Sequence, residues 1–315
     1  MQEILDLLLA APGDPVRCES LSDWMPAWVA SQARHAAHGP FAGNIAAASG
    51  ADRLAWAFFS GYQGAIQAAF GARVAPGTAS SLCVSEAGRG ITDMATVLQR
   101  SGDALLLQGS KSWVLADLPG LTLFVLARDP QGPAKGPGSM RMVQLPLGAA
   151  GVRCSASRPQ AIIPELPHAA LAFDAVRVDP AQCLPGDGYA DHAKPFRLRE
   201  DLFVTGAALA YLLAEAKVGG WPTVWCQRCI AAIGGLASCA ALDARDTRIH
   251  ILAAGALAFA GDVLRESEQH WTSGQADARD RWHRDGPVLA LGEDARRQRA
   301  LKAWAGVPWK VDAGA

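Results

Sequence analysis

The chain has 315 residues, half of them hydrophobic, with 29 Lys and Arg against 30 Asp and Glu and a net charge of −1. That length can bury a sizeable core as one compact unit or two to three closely packed ones, and charges so evenly balanced offer no basic face for a phosphate backbone, which argues against nucleic-acid binding. Seven cysteines, an odd number in mostly apolar surroundings, fit reduced buried thiols and not a disulfide framework.

The opening MQEILDLLLAAPGDP reads as a short amphipathic helix stopped by Pro12, too acidic and too short in its apolar run for a signal peptide. Residues 1–78 form a helical domain. Helical spacing runs through LSDWMPAWVASQARHAAH, interrupted at Pro26, and through ADRLAWAFFSGYQGAIQAAF, where Leu54, Phe58, Tyr62 and Ile66 recur at four-residue steps and predict one buried face. His35 and His38 share a helix face but have no further ligands beside them, and read as solvated or capping residues.

Residues 79–190 change to short apolar or alternating runs: LCVSE, ALLLQG, SWVLA, LTLFVLAR, MRMVQLP and AALAFDAVRV. Turn-formers separate them, and DPQGPAKGPGS at 129–139 joins two strands at an exposed edge. This is a β domain.

Residues 191–315 return to helices: FRLREDLFVTGAALAYLLAEA, 222–242, DTRIHILAAGALAFAGDVLRES and a short helix near Asp294 to Trp304. The longest apolar stretch, ILAAGALAFAG, falls short of the roughly 20 residues that cross a bilayer, so a cytoplasmic protein without a membrane span is expected. Cys226 and Cys229 stand at ligand-like spacing without a second pair or a histidine cluster, and read as structural. The polar run RESEQHWTSGQADARDRWHRDG reads as an exposed helix end and loop, its Trp271, Trp282 and His283 either packed under arginine stems or forming a contact patch. Helices, then strands, then helices are not the alternation of a parallel α/β sheet, and no G-x-G-x-x-G opens a helix. Ser85 lacks a G-x-S-x-G elbow and evident His/Asp partners, which argues against a hydrolase.

Three segments of the β domain carry a resemblance. CVSEAGRGITD stands where one family has C-V-T-E-P-G-A-G-S-D, GDALLLQGSKSWVL where it has G-D-x-x-x-x-x-G-x-K-x-W-I-T, and LAFDAVRVDPAQCLPGDGY where a F-x-D-V-x-V-P segment closes the domain. In this order they resemble the acyl-CoA dehydrogenase family. The resemblance implies an α+β multi-domain fold: an N-terminal helical domain, a central antiparallel β-barrel domain and a C-terminal helical bundle. It also implies FAD as cofactor, a homodimer, and an oxidoreductase acting on the CH-CH bond of an acyl thioester. By the same resemblance Ser85 would hydrogen-bond the pyrimidine end of the flavin, Gly90 would let backbone approach it, Thr92 would take the place of the phosphate-contacting serine, and Trp113 would pack on the ring. REDLFVTGAALA is similar to the segment in which isovaleryl- and long-chain members place their catalytic base, which puts Glu200 at that position. A carboxylate screened from water there would have its pKa raised toward neutrality. The alternative is that Glu200 and Asp201 are first-turn acids favoured by the helix dipole.

The chain also departs from the family's pattern. Ala87 replaces the motif's proline, Arg89 occupies a small-residue position, Ile91 is inserted, and Leu115 stands where a threonine donates toward the flavin. AEAKVGGWPTVWCQRC replaces the segment whose arginine and glutamine hold the dinucleotide's diphosphate and adenosine. A second function class therefore stands beside the first: a flavin-free relative serving as a non-catalytic acyl-binding or protein-interaction subunit.

Overall fold

The computed structural model describes residues 1–308 except positions 12, 103, 117, 135, 137, 157–159 and 167; the stop at Pro12 lies outside the described residues. The chain divides into two units. One is helical and comprises Met1–Ala68, Ala161–Glu165 and the chain from Leu198 onward; the other comprises Ala69–Gln160 and Leu166–Arg197 and holds the sheet.

The α-helices are α1 (Gln2–Leu9), α2 (Leu21–Arg34), α3 (Gly39–Ser49), α4 (Leu54–Phe70), α5 (Lys194–Gly219), α6 (Thr223–Ala240), α7 (Ile249–Glu266), α8 (Ala276–Asp285) and α9 (Glu293–Trp304); they make up the helical unit except for the end of α4 from Ala69 and the start of α5 up to Arg197, which fall in the other. Ser20 starts α2 by accepting the Asp23 amide at 3.2 Å, the usual N-cap bond. Pro26 does not interrupt this helix, contrary to the sequence expectation. A helix-interior proline costs about 3 kcal/mol, and here it sits between Trp24 and Trp28, both buried, one stacked on Trp56 and the other edge-on to Phe59.

The face predicted for α4 is only half right. Leu54 and Ile66 are buried, but Phe58 and Tyr62 are half-buried, while Ala55, Trp56, Ala57, Phe59, Ser60 and Gln63 are buried as well. A helix covered nearly all round is a core helix, and its small residues hide the stripe. One of them lets the α5 backbone come close: a Cβ on Gly61 would lie 2.7 Å from Val204 Cα and 2.8 Å from Phe203 O. Gly61→Ala should therefore destabilise the protein by about 1–3 kcal/mol, readable as a lowered thermal midpoint.

The longest helix, α5, is buried along Ala207–Leu213. It is apolar and long enough to match a membrane span by composition, yet 67% of its most apolar window lies inside the protein, as for the core helix of a globular unit. The polar run after Arg265 is not a loop: it contains α8, which buries Trp282. Trp282 donates to Glu268 at 2.7 Å, and Trp271 packs edge-on against Trp221. Neither tryptophan forms the contact patch considered from the sequence.

The sheet unit contains β1 (Ser80–Cys83), β2 (Val97–Ser101), β3 (Ala104–Leu115), β4 (Thr122–Arg128), β5 (Met140–Pro146), β6 (Val152–Cys154) and β7 (His168–Val178). Their order is β1-β4-β2-β3-β7-β6, with β5 on β4. The expected antiparallel barrel is corrected in two respects. The pairings β1–β4 and β2–β4 are parallel, because the β2–β3 hairpin intervenes between β1 and β4 and lets the chain cross over. The path also ends at β6, which among the described strands pairs only with β7, so the sheet is an open, curled one. LTLFVLAR becomes β4, flanked by β1 and β5, and its continuous apolar run is buried from Leu123 to Ala127, as a central strand requires.

Candidate functional site

The site is built where β1 ends and β3 bulges. After Cys83 the chain leaves the sheet, and the Ser112 amide donates to the Ser85 carbonyl at 2.9 Å. This brings Ser85 beside the residue that precedes Trp113. Glu86, next in sequence, turns inward. Its carboxylate accepts the Ala95 amide at 2.7 Å, the Thr96 amide at 2.9 Å and the Lys111 ammonium at 2.9 Å. Lys111, with a side chain wholly removed from solvent, also donates to the Val84 carbonyl at 3.2 Å. Burial opposes ionisation of Glu86, but hydrogen bonds from Thr96, Ala95 and Lys111 bring its pKa down to about 2. Burial likewise lowers the Lys111 pKa, and the facing carboxylate opposes that shift. At 2.9 Å the two side chains form a buried ion pair.

Glu86 closes the base of the loop that follows. Its return arm is fixed on β3 by Thr96 Oγ1, which donates to the Ser110 carbonyl at 2.9 Å. Gly109, at φ 139°, leaves room for that arm: a Cβ there would lie 2.6 Å from Thr96 Cα. Within the loop Gly88 takes the left-handed turn at φ 69°. Gly90 has extended backbone, φ −90° and ψ 177°, which any residue adopts, and an added Cβ would meet nothing; the chain itself does not require glycine at this position. Thr92 lies in a short 3-10 turn, Ile91–Asp93, and is exposed, as are Arg89 and Gly90. Ile91 lies in this loop, whose two ends are tied.

Strand alternation would put Lys111 and Trp113 on one face. They are on opposite ones. The β3–β7 register shifts between Lys111 and Val114, and Trp113 adopts φ 58°, so a bulge turns its indole outward. Trp113 is 68% exposed. Leu115, beyond the bulge, is buried and its carbonyl accepts the Ser81 hydroxyl; its side chain belongs to the core.

Glu200 lies on α5, half-buried. The helix begins at Lys194, directly after a π-helical turn, Gly188–Ala193, whose amides at Tyr189 and Ala190 are capped by Asp187. No acidic residue occupies the first turn of α5, so the dipole explanation for Glu200 and Asp201 is overturned. Asp201 instead pairs with Arg296 at 3.1 Å and with Arg299. The structure therefore brings Ser85, Gly90, Thr92 and Trp113 into one loop-and-bulge region of the sheet unit and places Glu200 in the helical unit.

The residues that organise the region, Glu86 and Lys111, had no assigned role in the sequence. Their signal was a carboxylate and an ammonium set in runs otherwise fit for a core. Elsewhere, Cys229 is buried and donates to the Leu209 carbonyl at 3.4 Å, and among the described residues no three His, Cys, Asp or Glu side chains form a ligand set. A cavity of about 1000 Å³ in the helical unit is lined by Leu257, Leu264, Trp282, Leu289 and Arg296 among others, and Glu200 is not in its wall.

No protein-family model and no curated protein matches the chain. Solved structures do. FMN-bound TdsC from Paenibacillus sp. A11-2 is similar at 14% identity and TM-score 0.67, over 84% of this chain and 82% of that one. A glutaryl-CoA dehydrogenase from Mycobacterium smegmatis in complex with FADH2 is similar at 15% identity and TM-score 0.60, over 86% and 80%. Butyryl-CoA dehydrogenase from Megasphaera elsdenii gives 15% and 0.61, over 84% and 82%. At such identities the likeness is one of architecture, and what it establishes is that the chain has an acyl-CoA dehydrogenase-like fold.

Proposed function

We propose that this chain is an FAD-dependent oxidoreductase acting on the CH-CH bond of an acyl thioester, with Ser85 and Trp113 against the flavin ring and Glu200 as the base. The observation that carries the reading is Trp113: a large aromatic 68% exposed, on a bulge with positive φ, beside an exposed serine. An indole costs free energy in water and a strained backbone persists only where its surroundings hold it, so the pair suits a planar heteroaromatic ligand. A flavin bound there supplies a hydride acceptor. Ser85 would then hydrogen-bond the ring's polar edge, Trp113 would cover an apolar face, and Thr92 and Arg89, exposed on the same loop, would face a phosphate. Glu200 would remove the proton from the carbon next to the thioester. A homodimer belongs to the same proposal, with Leu252 on α7 and Leu301 on α9, 53% and 42% exposed, as apolar surface for it.

The test is uptake of flavin. Purified protein titrated with FAD should bind it and show the oxidised-flavin band at about 450 nm, and Trp113→Ala should weaken the complex by about tenfold or more, as loss of an aromatic stacking partner does. A parallel titration with FMN tells whether the adenosine half contributes, since the arginine and glutamine expected to hold it have no counterpart in the sequence. A protein that takes up neither flavin leaves the acyl-binding or protein-interaction role in place of the oxidoreductase.

A further inference from the structure

We propose that Glu86 and Lys111 are positioning residues for the surface formed by Ser85 and Trp113: their buried contact ties both arms of the 84–96 loop to β3 at its bulge, and so fixes where hydroxyl and indole stand. The proposal deepens the flavin reading and rests on it only for the identity of the ligand.

Three sets of contacts converge on the pair. The outgoing arm is held from β3 twice, by Lys111 Nζ on the Val84 carbonyl and by the Ser112 amide on the Ser85 carbonyl. The returning arm is held by the Thr96 hydroxyl on the Ser110 carbonyl and by its close approach at Gly109. Glu86 joins the arms, taking the Ala95 and Thr96 amides and the Lys111 ammonium on one carboxylate. Every tie to β3 falls between Gly109 and Ser112, immediately before the bulge that turns Trp113 out.

Stability alone does not account for such a pair. Desolvating two charges offsets most of their attraction, and apolar replacements of both partners are often neutral or stabilising. What the pair supplies is a register. A slip of one residue reverses the facing of every side chain in a strand, and here it would bring Trp113 toward the side now occupied by Lys111. An ammonium held by acceptors at Val84 and Glu86 anchors β3 against that slip, and so keeps Trp113 exposed. Lys111 two residues before Trp113, with Glu86 one after Ser85, is then the spacing of an anchor and the group it presents.

The experiment replaces both partners at once, Glu86→Gln with Lys111→Met, so that no charge is left buried alone. The chain has ten tryptophans, so Trp113 emission is taken as the difference between each background and the same background carrying Trp113→Phe. The expected double variant keeps its far-UV circular dichroism and cooperative melting, shifts Trp113 emission to the blue, and binds FAD about tenfold more weakly. A folded double variant with unchanged Trp113 emission and unchanged FAD affinity overturns the proposal. Should the double variant not fold, native-state hydrogen exchange of the unaltered protein decides: the Ala95, Thr96 and Ser112 amides should exchange only with global unfolding, and exchange at open-loop rates overturns the proposal equally. If the unaltered protein takes up no flavin, the cofactor reading fails, while Trp113 emission and amide exchange still decide the positioning role.

Discussion

Glu200→Gln should leave flavin binding unchanged and slow bleaching of the bound flavin by an acyl thioester by about 10²–10⁴-fold, the range that a positioned general base contributes. Gln keeps the size of Glu and loses only the proton acceptor, so its effect separates base chemistry from packing. The informative control is the neighbour. Asp201 is committed to Arg296 at 3.1 Å and to Arg299, so Asp201→Asn should lower the melting temperature while sparing the rate. Stopped-flow traces at about 450 nm follow both. If Glu200→Gln bleaches at the rate of the unaltered protein, Glu200 is not the base; a slowed Asp201→Asn would move that role to its neighbour.

The distinction is sharper than sequence reasoning could make it. Read as a helix beginning at Phe196, the segment placed both acids in a first turn, where the dipole alone explains them. The structure starts α5 earlier, at Lys194, on a capped π-helical turn, and that explanation disappears. Nothing in the local sequence reveals the wider turn that leads into the helix.

Other parts of the fold were legible to the extent that local pattern decides them. The strands around CVSEAGRGITD and SKSWVL were, because each is a short run with its own turn signals. The facing of Trp113 was not. Alternation places it with Lys111, and only the β3–β7 register shift reveals the bulge between them. The Glu86–Lys111 contact was hidden for a related reason: it joins the loop after β1 to β3, and β1 and β3 are not neighbours in the sheet order. In the helical unit, α4 misled through its alanines and glycines, which blur the boundary of an apolar stripe, and α8 through its charge. ADARDRWHRD is mostly polar, and only Ala278, Trp282 and Asp285 are buried in it.

Asp285 marks the least legible feature, the return of Ala161–Glu165 to the helical unit from between two strands of the sheet, and it carries the largest expected loss of stability. Its side chain is fully buried. One oxygen accepts the Ile163 amide at 2.8 Å, and the carboxylate also takes two bonds from Arg284, at 2.8 and 2.7 Å. Arg284 continues to Glu165 at 2.7 Å, and Glu165 to Arg53 at 3.3 Å, so a single chain of charges ties α8, the short segment and the start of α4. Ile163 itself sits at φ 45°, a conformation that a β-branched residue holds only when its surroundings impose it. Asp285→Ala removes the acceptor of a buried amide and leaves Arg284 with one partner fewer. The expected cost is about 3–5 kcal/mol, seen in urea unfolding as a lower midpoint at unchanged slope. Asp285→Asn keeps an acceptor for Ile163 and loses only the charge, so it should recover about 1–2 kcal/mol of that loss. Equal losses for the two variants would assign the whole effect to the ion pair; a loss below about 1 kcal/mol for Asp285→Ala would show that the segment is held by the burial of Ile163 and not by these bonds.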